Sequence, residues 1–443
     1  MISWRNTSPW RRLTALHCGV ALTLCSVQAA EPQPATGNVI FLHPDGTSLT
    51  AWQAHRLLEH GPDGLSEWDR MPRVAFYRPH VSDSIAPTSH AGGTIHAFGV
   101  KVVRDSYGKN GTNALISASG KPHSLMQEAL RAGLRTGIVN SGHLAEPGTG
   151  TQLASVNARD QRTEIVKQIL ESGCPIILGG GEVLFLPPEI IGRHGQPGVR
   201  ADGRNLIEQA RGLGYRVVFN AKELAALPDD TQKVLGLFAA EATYHPMTEE
   251  DLRLQGLPAY LPDAPTVADL TYAALRFLRA SGKRFFLMVE EEATDDFANK
   301  LNASALFEAY RRTDAMIKVC REFIAQRNDT LLLVASDSNA SGLQTIPFGA
   351  ADAEDAPAVL PAVTDVGAPL DGLHGTGSEP FVTGPDLEGR RFLFGVSFAT
   401  HKDLYGGVVA RAEGFNADQF PLQLDNTDLF KLIHLTLFGP RQR

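Results

Sequence analysis

An α/β fold, a three-layer sandwich with a central, mostly parallel sheet flanked by helices, is what this sequence predicts, and three observations predict it. Apolar runs of strand length alternate with stretches of helical spacing from residue 36 onward, the order that builds a parallel sheet with helices on both faces. The runs are apolar at consecutive positions, as strands buried on both faces require. Acidic residues recur just behind them, where the carboxyl ends of such strands open onto a crevice.

Taken in order, residues 1–30 read as a cleaved signal peptide. Arg5, Arg11 and Arg12 precede an apolar run from Leu13 to Val27, and Ala29 with Ala30 offers small residues for cleavage. That run is short for a bilayer, so a periplasmic or secreted protein without a membrane span is expected. The α/β domain then occupies 36–443. Strand-like runs fall at 38–42, 136–140, 175–178, 215–219, 284–289 and 330–335. Helical patterns fall at 49–60, 90–99, 122–132, 157–171, 204–212, 265–281 and 304–326. Residues 183–263 and 343–400 are richer in Pro, Gly and Asp and read as insertions over the sheet's edge or mouth. Cys18 and Cys25 belong to the signal, and Cys174 and Cys320 read as two buried, unpaired thiols rather than a disulfide. Hydrophobic residues make up 43%, charged residues 20%, and the formal net charge is -8. This composition is that of an ordinary globular protein and gives no reason to expect nucleic acid as a partner.

The chemistry sits behind the strands. NVIFLHPDGTS, residues 38–48, ends an apolar run on Asp45 and Gly46. Glu290 follows FFLMV, with Glu291, Glu292, Asp295, Asp296 and Asn299 behind it. Asp337, Ser338 and Asn339 follow LLLVA, and RTGIV leads to His143, Glu146, Thr149 and Thr151. His374 lies in DGLHGTG. Any one of these clusters alone reads as a cap or a solvated turn. Together at equivalent strand ends, their carboxylates would repel one another unless cations bound there. In SDSIAPTSHAGGTIHAFGVKV, Pro87 delays the helix, and Thr88 and Ser89 are good N-cap residues. A hydroxyl at that helix start lies where backbone N–H groups favour an anion. Facing metal carboxylates, it points to a nucleophile for phosphoryl transfer. His55, His60, His80, His90 and His96 read as surface or cap residues, with His90 and His96 able to face the crevice.

These segments resemble the alkaline phosphatase family from about residue 36 to the C-terminus. NVIFLHPDG is similar to the strand that ends in the family's metal-bridging Asp, here Asp45. TSHAGGTIHAFGVK is similar to the nucleophile segment and implies Ser89 as the nucleophile, with Thr88 replacing the usual preceding Asp. Asp83-Ser84 copies the Asp-Ser pair but needs an insertion, which makes Ser84 the alternative. GIVNSGHLAEPGTGTQLASVNARD implies Glu146 near the third metal, Arg159 as the phosphate-binding Arg, and Gly148 at a family Thr. His143, in the same loop, could join the third-metal shell. MVEEEATDDFAN implies Glu290 as the third-metal carboxylate and Asp295 as a ligand of the first metal. VASDSNASG implies Asp337 on the second metal, and His374 matches the family's last His ligand.

Two departures stand beside these matches. Asn299 and Ser338 occupy positions where the family carries a His on the first and on the second metal. Zinc is the metal the resemblance implies for both sites, with magnesium at the third. An oxygen-rich ligand set suits magnesium, calcium or manganese better than zinc. The activity implied is metal-dependent hydrolysis of phosphate monoesters through a covalent phosphoserine, acting on a small phosphate ester. The alternatives are a phosphodiesterase of the same superfamily and a non-catalytic metal- or phosphate-binding envelope protein. The intact Ser89 and Arg159 pair counts against the last. Family members are often dimers, so a homodimer is one assembly the resemblance allows.

Overall fold

All six strand-like runs become strands of one ten-stranded sheet in the computed structural model, which describes residues 36–440. The signal peptide expected at 1–30 lies outside the described residues. The strands are β1 (Asn38–Pro44), β2 (Arg73–Arg78), β3 (Arg135–His143), β4 (Ile176–Gly180), β5 (Arg216–Val218), β6 (Val234–Leu237), β7 (Phe285–Glu291) and β8 (Thr330–Val334), followed by two late strands, Val409–Gly414 and Gln423–Asp425. Across the sheet they run Gln423–Asp425, β2, Val409–Gly414, β8, β1, β7, β3, β4, β6, β5. From β8 to β5 every pair is parallel, and Val409–Gly414 runs antiparallel to both of its neighbours.

The central strands bury both faces by simple alternation. Val39, Phe41, Ile138, Met288 and Leu333 point to the face covered by the closing helix Asn426–Phe438. Ile40, Leu42, Leu287, Val289 and Leu332 point to the opposite face, under helix α1 (Leu49–His60) and the helices Val267–Ala280 and Ala303–Ile324. The register levels the carboxyl ends: His43 pairs with Glu290, and Asn140 with the same Glu290 on the other side.

Within 183–263, β5 and β6 extend the central sheet at its edge. Residues 343–400 build a second sheet from Gln344–Ala350, Asp371–Gly372, Gly375–Thr376, Phe381–Val382 and Phe392–Ser397. Cys174 and Cys320 are buried free thiols. No helix among the described residues is long and apolar enough to cross a membrane.

Candidate active site

Four aspartates meet at the carboxyl ends of β1, β7 and β8. Asp45 leaves β1 with its N–H donating to the Glu291 carbonyl (3.0 Å). The turn depends on Gly46: its φ is +67°, and a Cβ there would stand 2.6 Å from Asp295 Oδ1 and from Ala340 Cβ. Asp295 comes from the short helix Ala293–Asn299 that follows β7, and Asp337 from the loop after β8. Asp403 is the fourth. Its two-residue strand, Asp403–Leu404, pairs with Asn339–Ala340 and lays it opposite Ala340.

Mutual repulsion marks the cluster. Burial, Asp403 and Asp45 push the Asp295 carboxyl well above the usual carboxylate range. Burial and Asp45 do the same to Asp337, and raise Asp403. Glu292 is pushed up by burial, Glu146 and Asp45. Both oxygens of Asp45, both of Asp337, and Oδ1 of Asp295 and of Asp403 are buried with no hydrogen-bond partner. Leaving a polar atom buried and unsatisfied costs about 1–3 kcal/mol, more for a charged one. Six such oxygens in one place are the donor set of divalent cations, which take carboxylate oxygen and cancel the repulsion. The residues present therefore fit bound metal. Asp45, Glu290 and Glu292 form one candidate triplet of ligands, and Glu292, Asp295 and Asp296 another.

The ligands expected from sequence do not all arrive. His374 is exposed in the turn between Asp371–Gly372 and Gly375–Thr376, where its N–H donates to Ser378 Oγ (2.9 Å). It lies on the second sheet, away from the cluster; the fourth carboxylate brought to the cluster is Asp403, which sequence reasoning missed. Asp403 neighbours Asp295, Asn299 and Ser338. The signal that could have found it is THKDLYGGVVARAEG, a polar turn feeding a short alternating run. His401, two residues earlier, is exposed, and its Nδ1 lies 3.1 Å from the Asn299 carbonyl. Asn299 spends its amide on protein, donating to Asp295 Oδ2 (2.8 Å) and accepting from Ser341 Oγ (2.9 Å). Ser338 Oγ is buried and unpartnered.

Glu290 is held by protein donors. Its Oε2 accepts from Asn140 Nδ2 (2.5 Å), Thr149 N (2.7 Å) and Thr149 Oγ1 (2.9 Å), and its Oε1 from Gly148 N (2.9 Å). Glu146 stands apart from the metal triplets, paired to His143 Nε2 at 2.8 Å and to Arg159 Nη2 at 3.4 Å. Burial opposes its charge, yet His143 and Arg159 hold its pKa below the usual value. Burial likewise opposes the Arg159 charge, and Glu146, Glu292, Asp45 and Asp295 outweigh it. The guanidinium thus hangs half-exposed over the acidic cluster.

Helix α2 (Ser89–Phe98) supplies the hydroxyl. Thr88 caps it by accepting from Ala91 N (3.3 Å). Gly92 and Gly93 lie one turn beyond Ser89 on the same face. A Cβ at Gly92 would meet Asp337 Oδ2 at 2.5 Å, and one at Gly93 the Pro147 carbonyl at 2.6 Å. That face is pressed between Asp337 and the loop of Glu146, with Ser89 at its start and 6% exposed. Ser84 lies in a surface turn, its Oγ accepting from Ala86 N (3.2 Å). His55 and His96 are buried, not on the surface as their positions suggested, and His96 Nε2 lies 2.5 Å from the Tyr77 hydroxyl.

An open, mostly parallel sheet that gathers orphaned carboxylates against a helix start defines a class, the α/β proteins that hold divalent metal at the carboxyl ends of their strands. Comparison with known proteins narrows it. The alkaline phosphatase family profile matches residues 36–358. Alkaline phosphatase H of Pseudomonas aeruginosa is 28% identical over 384 residues, covering 77% of this chain and 76% of that protein. The membrane-bound alkaline phosphatase of Bombyx mori is 25% identical over 341 residues, covering 68% of this chain and 60% of its own length. Alkaline phosphatase of the Antarctic bacterium TAB5 superposes with a TM-score of 0.68 at 18% identity, over 93% of this chain and 100% of the other. The Thermus thermophilus enzyme gives 0.67 at 21%, over 92% of each. The chain belongs to the alkaline phosphatase family. It is a phosphatase-type hydrolase of a family that uses divalent metals.

Proposed function

We propose that this chain hydrolyses phosphate monoesters in two steps through a phosphoserine at Ser89. The observation that carries the reading is the set of six orphaned aspartate oxygens beside the helix face that begins at Ser89. Asp45, Asp295, Asp337 and Asp403 would hold the divalent ions, with Asn299 and Ser338 at the margin and Glu290 and Glu292 beside a third. Bound there, such ions would lower the pKa of the Ser89 hydroxyl and offset charge on the phosphoryl oxygens.

The remaining work belongs to side chains. Ser89 Oγ attacks phosphorus, the ester P–O bond breaks, and the alcohol departs; water then attacks the phosphoserine and releases phosphate. Arg159 forks onto two phosphate oxygens, for which its planar guanidinium is suited. Glu146, itself paired to His143, positions that Arg. The first N–H groups of α2 favour the anionic group. A crevice of about 1020 Å³ shares His143, Glu146 and Asp296 with the site and adds Arg162, Arg193 and His245. The alcohol part of the ester would extend into it. Its size also admits the second ester group of a diester.

The test is hydrolysis of a chromogenic monoester by chelator-stripped protein, repeated with zinc, magnesium, calcium and manganese and with a diester alongside. Monoester turnover restored by metal, with acid-stable phosphate trapped on the Ser89 peptide, supports the reading. Diester turnover alone would move the chain to the phosphodiesterases, and metal binding with neither turnover to a binding protein.

A further inference from the structure

One buried imidazole beneath the cluster is unused by the reaction described above. His43 lies near the end of β1, two residues before Asp45, which begins the turn beyond the strand. Its exposure is 0%, and neither ring nitrogen has a hydrogen-bond partner. A ring nitrogen of His43, an oxygen of Asp45 and an oxygen of Asp337 all lie within 4.8 Å of one another. The ring is fixed from two other sides. Its Nδ1 faces Glu290 Oε1 at 3.5 Å, and the His96 ring meets it edge-on with centroids 5.4 Å apart.

The chain makes room for this ring. A Cβ at Gly148 would stand 2.6 Å from His43 Nδ1 and 2.1 Å from Glu290 Oε1, so no side chain larger than hydrogen fits there. Nδ1 has only the 3.5 Å approach of Glu290, and Nε2 is buried with no polar partner, which costs stability unless something satisfies it. The other groups at Asp337 cannot supply nitrogen: Ser338 offers a hydroxyl, and Asp403 a further carboxylate.

We propose that His43 is a metal ligand, its imidazole completing a site with Asp45 and Asp337. The inference rests on the metal-dependent reading above and adds nitrogen to a donor set that is otherwise all oxygen. Glu290 behind Nδ1 then has the role of the carboxylate that backs a ligating His, fixing which ring nitrogen faces the ion. With one imidazole present, zinc would also suit the site, beside the magnesium, calcium and manganese that an all-oxygen set already suits.

Manganese alone, added to the chelator-stripped full chain, is the probe. Pulsed electron paramagnetic resonance of the bound ion should show hyperfine coupling to an imidazole nitrogen. His43→Leu should abolish that coupling and weaken one manganese equivalent by roughly 10–100-fold, at least the effect that losing an outer-shell partner has at other metal sites. Ser338→His on the His43→Leu background should restore both, by returning an imidazole beside Asp337. His401→Leu, which removes the exposed imidazole beside Asn299, should leave the coupling in place. Manganese bound with no nitrogen coupling in the unsubstituted protein would overturn the proposal, whether or not any variant folds. So would coupling that survives His43→Leu or vanishes in His401→Leu. Failure of the unsubstituted chain to bind manganese, zinc or magnesium would instead bring down the metal-dependent reading, and this inference with it.

Discussion

Ser89 and Arg159 carry different shares of the proposed reaction, and single substitutions separate them. Ser89→Ala removes the nucleophile, and turnover should fall on the order of 10⁴-fold or more, as loss of a nucleophile does in other two-step hydrolases. Arg159→Ala removes charge-assisted hydrogen bonds worth about 1.5–3 kcal/mol, roughly a 10- to 150-fold loss. Ser84→Ala, in its surface turn, should leave turnover near that of the unsubstituted protein; steady-state kinetics of the three variants checks the order. A Ser84→Ala collapse with Ser89→Ala intact would reverse the assignment. Asp45, Asp295 and Asp337 were legible as a set: each follows an apolar run of strand length, and it is their recurrence at equivalent strand ends that sets them apart from caps and turns. Asp403 was not, because only pairing of Asp403–Leu404 with Asn339–Ala340 carries it to the cluster. The case for His374 is its match to the family's last His ligand, and a His in a Gly-rich turn gives no sign of which sheet it belongs to.

At the scale of elements, α2 approaches the sheet only because Gly92 has no side chain. Gly→Ala inside a helix ordinarily stabilises by roughly 0.5–1 kcal/mol. Gly92→Ala should do the opposite, because its Cβ would meet Asp337 Oδ2 at 2.5 Å. The variant is expected to have a lower Tm and weaker metal binding, with circular dichroism melting and calorimetric titration as the measurements. A raised Tm with unchanged metal affinity would mean that α2 does not seat against Asp337. Of the strands sequence reading missed, β6 is buried throughout but only four residues long. β2 and Val409–Gly414 instead alternate buried with partly or fully exposed residues and run antiparallel to each other. Half-exposed strands lack the continuous apolar run that revealed β1, β7 and β8.

For the molecule as a whole, the cluster predicts how stability depends on pH and metal. Asp295, Asp337, Asp403 and Glu292 titrate above their unfolded values, which lie near about 4. Asp296 is pushed up to about 6 by burial and Glu146, and Glu291 to about 7 by burial. Between the unfolded and folded values the folded apoprotein holds more protons than the unfolded chain. Its stability therefore falls as pH rises through that window, by about 1.4 kcal/mol per group and pH unit. Glu146 is shifted the other way. Burial holds His55 and His90 down to about 4 and His96 below its usual value, so these three imidazoles offset part of the loss below about pH 6.5. They are outnumbered by the raised carboxyls. Chelator-treated protein should lose Tm steadily from about pH 5 to about pH 7, and added divalent metal should abolish most of the loss. A metal-free Tm that rises over this range would contradict the clustered carboxylates.

What the sequence by itself determined was the class: buried parallel strands, helices between them, acids behind four of the six strand-like runs, and a capped hydroxyl at a helix start. These are local properties, set by periodicity and by the chemistry of neighbours within a few positions. The tertiary structure alone decided which acids meet. Asp403 rather than His374 joins the other aspartates, Glu146 pairs with His143 and Arg159, and a ring nitrogen of His43 lies near Asp45 and Asp337. Those outcomes depend on strand order and on close approach at Gly46, Gly92 and Gly148, where packing sums contributions from segments hundreds of residues apart.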